Sequence, residues 1–311
     1  RSRHTIKLAE CDSLVDLATT IHQALGVDVA SLDGICVAAA GQFDGETLQH
    51  ASPYPYPMRF AKYAKQANWP PFTVVHDYTP IICSTFVSHA QSKQVMTLTE
   101  GRSQVHARRL AFGVGTGLGL KDAAMLPSGE LWLGVNEVGH MGLCLPPKMN
   151  RVEATVHREF VRFLQDQDDL QETVINFETV LSGKGLARIH QFVSGTRYHL
   201  TPEETAAEIH GKEDEETLRL FAWYLGLFIG TVQLAFMPEA GVWLYGGVLN
   251  KNLALFSGSN LRKIQRGIQA SPAYWEQREH YPLHVLVGQD HAFLGGAFYA
   301  RRHFQRLALV V

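Results

Sequence analysis

Phe112-Gly-Val-Gly-Thr-Gly-Leu-Gly-Leu120 is the stretch on which the reading of this 311-residue chain turns. Glycines at 113, 115, 117 and 119 leave backbone amides clear of Cβ obstruction, so they can close around an anion, with phosphate the obvious guest. The same glycines also suit a softened hairpin with no ligand, and spacing alone does not separate the two. A dinucleotide fingerprint is ruled out, because G-x-G-x-x-G fails at Leu118 or Leu120 and a strand rather than a helix follows. No Walker A sequence is present either, since Gly183-Lys184 lacks the upstream glycine and the following Ser/Thr. On either side, Leu110 to Val114, a strand through Met125, the turn Pro127-Ser-Gly-Glu130 and the strand Leu131 to Gly134 predict an antiparallel meander.

Three groups of polar residues lie outward from this turn. Asn136-Glu137-Val138-Gly139-His140 sets a carboxylate and an imidazole three residues apart across a glycine, a pattern that suits polyol hydroxyls but equally a surface loop or half of a metal site. Glu178 stands near the start of a helix read as running from Phe177 to Val193, where an acid is favoured by the helix dipole. His76-Asp77-Tyr78 ends the apolar strand Phe72 to Val75, where parallel α/β sheets gather ligands; Asp77 there is either a base or a cap for the next helix.

The rest of the first third alternates strand and helix signals. His4 to Glu10 reads as extended, Ser13 to Leu25 as a helix capped by Asp12 or Ser13, Gly34 to Ala40 as a short buried strand, and Arg59 to Asn68 as a helix. Helices follow from Val152 to Gln165 and after Thr201-Pro-Glu-Glu204, a capping-box start. Strands Val242 to Tyr245, ending in Gly246-Gly247, and Leu283 to Val287 precede a terminal helix through Phe304. Leu220 to Met237 runs eighteen residues without a charge. Acidic residues precede it and no basic flank sets an orientation, so it reads as a buried helix in which Gly226 and Gly230 let a neighbour approach.

Composition narrows the function. With 46% hydrophobic and 19% charged residues, the chain suits two ordinary globular domains. A formal charge of -2 gives no basic field for nucleic acid or an anionic membrane, so neither is expected as a partner and a small molecule is. The four cysteines, Cys11, Cys36, Cys83 and Cys144, form no C-x-x-C pair, which predicts reduced thiols and no bound metal. Arg1 to His4 are followed by no apolar core of signal-peptide length, and a cytoplasmic protein is expected.

In this order, Gly34-Ile-Cys-Val-Ala-Ala-Ala40, Val74-Val-His-Asp-Tyr78, Gly113 to Gly119, Glu137-Val-Gly-His140, Phe177 to Leu186 and Leu244-Tyr-Gly-Gly-Val248 resemble the bacterial glucokinase family. That family is related to the ROK kinases within the sugar-kinase, actin and heat-shock ATPase superfamily. The resemblance implies a two-domain α/β actin-like ATPase (ribonuclease H-like) fold. It divides the chain into a small domain of residues 1–109 plus 293–311 and a large domain of residues 110–292. It implies ATP-dependent phosphorylation of a hexose, with glucose the first guess, using ATP and Mg2+. Asp77 would be the general base, and His76, Glu137, His140 and Glu178 would join it in binding the sugar. Gly113, Gly115, Thr116 and Gly117 would bind the nucleotide phosphates, and Gly246 and Gly247 would pass close to the adenosine. A homodimer is implied as well.

The chain also departs from the family pattern. The opening Asp-x-Gly-Gly-Thr-Asn hairpin has no counterpart, the chain starting at what resembles the third strand. His76 stands where an asparagine is usual, Ala51-Ser-Pro-Tyr-Pro-Tyr56 replaces Thr-Asn-x-x-Trp, and Ala40-Gly41 replaces Cys-Pro. Met141-Gly-Leu-Cys-Leu145 stands in place of the zinc-binding loop of many ROK kinases. These departures keep open a kinase for another hexose or amino sugar, and a non-catalytic sugar-binding or regulatory homologue.

Overall fold

The computed structural model describes residues 4–49, 54–87, 94–143, 151–170, 174–195, 200–209, 216–288 and 290–308. It forms two compact units, Arg1–Ala90 with Gln289–Val311, and Gln91–Gly288.

In the first unit, strands β1 (Ile35–Ala39) and β4 (Phe72–His76) pair in parallel with Ala39 opposite His76. The amide of Asp77 continues this ladder by one bond, donating to Ala39 O at 3.1 Å. The residue that follows the strand is thereby anchored to the sheet. Between them lies a small antiparallel pair, β2 (Gln42–Phe43) and β3 (Leu48–Gln49). Helix Leu14–Leu25 starts at Ser13, whose hydroxyl accepts the Asp16 amide, and stops at Gly26 in the left-handed conformation. Its buried Leu14 and Ala18 join Ala39, Leu48, Met58, Phe60 and Tyr63 in one core. The C-terminal helix His291–Ala308 packs on helix Tyr78–Ser84 at Gly295, where any Cβ would overlap the Pro80 carbonyl.

The second unit is built on a six-stranded sheet in the order β5-β10-β9-β6-β7-β8. The strands are β5 (Val95–Thr99), β6 (Arg109–Val114), β7 (Leu118–Met125), β8 (Leu131–Leu133), β9 (Val242–Tyr245) and β10 (Leu283–Leu286). The meander β6-β7-β8 is antiparallel, as the turn signals predict, whereas β9 runs parallel to both β6 and β10. Leu110, Phe112, Val242, Leu244 and Val285 carry one sheet face into a core completed by Phe221, Leu225, Phe228 and Ile264.

That core contains the long apolar helix, Glu216–Phe236. Among the described residues it is the one helix long and apolar enough to cross a membrane, and 67% of its most apolar window is buried within the protein. Gly226 sets its backbone against the Ile264 carbonyl of helix Gly258–Gln269, leaving no space for a Cβ. The predicted capping box is present: Thr201 Oγ1 accepts the Glu204 amide at 3.2 Å, and Glu204 Oε2 accepts the Thr201 amide at 2.8 Å.

Four local expectations are corrected. Leu8–Glu10 winds into a 3-10 turn instead of extending, because the Glu10 and Cys11 amides bond back to Lys7 and Leu8. β1 is largely half-buried, with Ala39 alone fully covered. Strand β5 is missing from the sequence reading. The helix read from Phe177 to Val193 is two helices, Phe177–Val180 and Gly183–Ser194, since Ser182 is extended and caps the second through Gly185. Cys144 and Ala51 to Pro53 lie outside the described residues.

Candidate active site

The glycine stretch forms a tight β6-β7 hairpin with Gly115, Thr116 and Gly117 at its tip. Gly113 lies within β6, opposite Gly119 on β7 and Tyr245 on β9, so it shapes the strand below the tip. At the tip, the Gly115 amide donates to Gly117 O at 2.9 Å, and Gly115 O accepts the Gly183 amide at 2.8 Å. The remaining backbone donors of the tip are the Thr116 and Gly117 amides. Thr116 is exposed, and the Cα of Gly115 faces open space. A turn of this kind can present two amides to an anion without steric obstruction.

Leu118, the first residue after the tip, gathers the other polar residues of this unit. Its amide donates to Glu178 Oε2 at 2.8 Å. Its carbonyl lies against Gly139, where a Cβ would overlap it. Gly139 belongs to the 3-10 turn Val138–His140, so Glu137 and His140 are exposed on either side of a backbone pressed onto the hairpin. The Phe177 amide donates to Met141 O at 3.1 Å and joins this turn to the Glu178 helix. Glu178 is held there by a capping box in which Asn176 Oδ1 accepts the Thr179 amide and Thr179 Oγ1 accepts the Asn176 amide. Three segments that sequence reading treats separately therefore form one cluster.

The β9 end joins the same hairpin. Gly246, at φ +117, lies so close to Val114 that a Cβ would overlap its carbonyl, while Gly247 faces open space. Sequence reading missed Asp122, a buried acid on β7 that Arg108 approaches at 3.6 Å. Burial pushes its carboxyl above the usual carboxylate range, opposed by Arg108 and by a 3.1 Å hydrogen bond from Asn136 Nδ2. That bond ties the residue before Glu137 to the sheet. The one sequence signal was a lone acid, beside Lys121, within the strand read as running through Met125.

In the first unit, Asp77 precedes helix Tyr78–Ser84 but its side chain makes no capping bond, so the cap reading fails. Its Oδ1 lies 3.1 Å from His76 Nδ1, and its side chain is 41% exposed. The Tyr78 amide also points at His76 Nδ1, at 3.3 Å. Tyr54 braces the neighbouring strand end: its hydroxyl accepts the Ala40 amide at 3.1 Å, one residue beyond the Ala39–His76 pair.

Among the described residues no group of three His, Cys, Asp or Glu side chains is placed to hold a metal ion.

Comparison with known proteins gives the family of the chain. A glucokinase from Saccharophagus degradans is 26% identical over 275 residues, spanning 84% of this chain and 78% of its own length. The crystal structure of a Balamuthia mandrillaris glucokinase in complex with glucose superposes with a TM-score of 0.73 at 20% identity, covering 94% of this chain and 83% of that one. A ROK-family glucokinase from Streptomyces griseus, in complex with glucose and AMPPNP, gives a TM-score of 0.59 at 18% identity over 93% and 88% of the two chains. These likenesses show the actin-like ATPase fold of sugar kinases. The glucokinase family model matches residues 1–303, and the chain belongs to the glucokinase family, being a sugar kinase and hence a phosphotransferase.

Proposed function

We propose that this protein transfers the γ-phosphoryl group of ATP to the primary hydroxyl of a hexose, glucose being the first candidate, with Asp77 as general base. The observation that carries the reading is the joining of Glu178, Gly139 and the glycine turn at Leu118, which sets hydroxyl-binding acids beside a phosphate-binding type of turn. Glu137, His140 and Glu178 bind and orient the sugar hydroxyls, and His76 contributes beside Asp77. The Thr116 and Gly117 amides, in the turn shaped by Gly113 and Gly115, hold nucleotide phosphate. Gly246 and Gly247 pass close to the adenosine, and Gly247 faces the open space it needs. Bound Mg2+ would neutralise phosphate charge.

Phosphoryl transfer depends mostly on alignment and charge neutralisation, so this inventory is sufficient. Asp77 takes the proton of the attacking hydroxyl as that oxygen bonds to the γ-phosphorus and the bond to ADP breaks. Its 41% side-chain exposure and lack of a capping role leave a carboxylate available for this step. The assembly is proposed to be a homodimer.

Coupled ADP production over a panel of hexoses and amino sugars tests the reading. Turnover on a hexose is expected, and Asp77→Asn should reduce kcat by about 10²- to 10⁴-fold. Full activity in that variant removes the base assignment. Sugar binding by calorimetry with no ADP release on any substrate overturns the kinase reading in favour of a sugar sensor.

A further inference from the structure

His76 stands next to the proposed base, and its imidazole faces two partners through one nitrogen. Nδ1 lies 3.1 Å from Asp77 Oδ1 and 3.3 Å from the Tyr78 amide nitrogen. A ring nitrogen has one in-plane position, filled by a proton or by a lone pair, so it can donate to the carboxylate or accept from the amide, but not both. Asp77 is the ion-pairing partner of His76 among the described residues. The Tyr78 ring is 6.2 Å away, and the paired strand β1 presents uncharged Ala39.

Two arguments favour donation. With a lone pair on Nδ1, the ring would face an ionised oxygen, lone pair to lone pair, at 3.1 Å. A hydrogen bond to a carboxylate is also about twice as strong as one between neutral groups. The Tyr78 amide, by contrast, is the first of its helix, and such amides are readily satisfied by water.

We infer that His76 is a positioning residue for Asp77: its Nδ1–H donates to Oδ1, fixes the rotation of the carboxylate, and leaves Oδ2 as the oxygen that receives the hydroxyl proton. This rests on the base assignment above. When the proton arrives on Oδ2, the bond at Oδ1 persists, because the carbonyl oxygen of the acid still accepts from Nδ1–H. The reaction then alters no other hydrogen bond in the segment. The rest of the segment is already braced, with the Asp77 amide on Ala39 O and the Tyr54 hydroxyl on the Ala40 amide. Side-chain rotation is the freedom left for His76 to remove.

The full chain labelled with ¹⁵N-histidine, studied by NMR at about pH 8.5 where an ordinary imidazole is neutral, reads the tautomer directly. His76 is expected as the Nδ1–H form. In Asp77→Ala it should convert to the Nε2–H form, with Nδ1 now accepting the Tyr78 amide. An Nε2–H tautomer in the unsubstituted protein, or no change in Asp77→Ala, overturns the inference. In kinetics, His76→Ala should lower kcat about tenfold, the rate equivalent of one hydrogen bond. His76→Asn, which keeps a short-range N–H donor, should stay within about threefold of the unsubstituted kcat. Equal losses in the two variants count against positioning. A tautomer shift as described with Asp77→Asn fully active would sustain the pairing and refute the base role, so the two failures are distinguishable.

Discussion

The carboxylate of Glu178 accepts a 2.8 Å hydrogen bond from the amide of Leu118, sixty residues earlier in the chain. One acidic side chain thus holds the glycine hairpin, and under the proposed function it also binds the hexose. Glu178→Gln retains an acceptor for the Leu118 amide and loses the charge, so the fold should persist while the hexose KM rises about five- to tenfold. Glu178→Ala also strands a buried amide, which costs about 1–3 kcal/mol. Urea unfolding and hexose kinetics on both variants separate the two roles. Equal stability in both would show that the bond does not support the hairpin.

Gly139 tests the same contact from the other side. Adding a methyl group at this position forces the 3-10 turn away from the Leu118 carbonyl and carries Glu137 and His140 with it. Gly139→Ala should lose about 1–3 kcal/mol of stability and raise the hexose KM at least tenfold. By comparison, Gly117→Ala meets Glu178 Oε2 at 2.6 Å, the far end of a movable side chain, and should be milder in stability. The order of the two melting temperatures is the decisive measurement.

Acid should weaken the second unit in a defined range. His157 is buried with Nδ1 on the Tyr224 hydroxyl, and burial pushes it down to about 4. His284, tilted against the Trp243 ring, is lowered to about 4 by burial and then by Arg109. Both folded values lie below the ordinary 6.5, so between them the unfolded chain binds more protons. The contribution is complete above about pH 6.5 and is lost as the pH falls toward 4. Denaturant midpoints at pH 7 and pH 5 should therefore differ more in the unsubstituted protein than in His157→Gln with His284→Gln.

Gly226→Ala should destabilise the protein by about 2 kcal/mol or more, because helix Glu216–Phe236 and helix Gly258–Gln269 touch there backbone to backbone. Substituting the exposed Gly247, which faces open space, is expected to change the unfolding free energy by less than about 0.5 kcal/mol.

Legibility followed the range of the interactions. The meander around Gly113 to Gly119, the Thr201–Glu204 capping box and the Ser13 cap all rest on contacts within a few residues, and each could be read from turn chemistry and periodicity. Strand β5 could not be, because its pairing with β10 joins Val95–Thr99 to residues nearly at the other end of the chain. The break at Leu181-Ser182 was hidden for a different reason: an apolar stripe continues across it and masks the local Ser182 cap on Gly185 that decides against one helix.

The same division holds for the site. The chain by itself supplied the candidates for chemistry, since glycines, carboxylates and imidazoles are visible at their positions whatever the fold. Tertiary structure alone decided that Leu118 binds Glu178 through its nitrogen and abuts Gly139 through its oxygen, and that Asp77 turns to His76 instead of capping its helix. Whether an acid caps, pairs or faces a turn depends on distances of about 3 Å between groups, and only the packed backbone sets those distances.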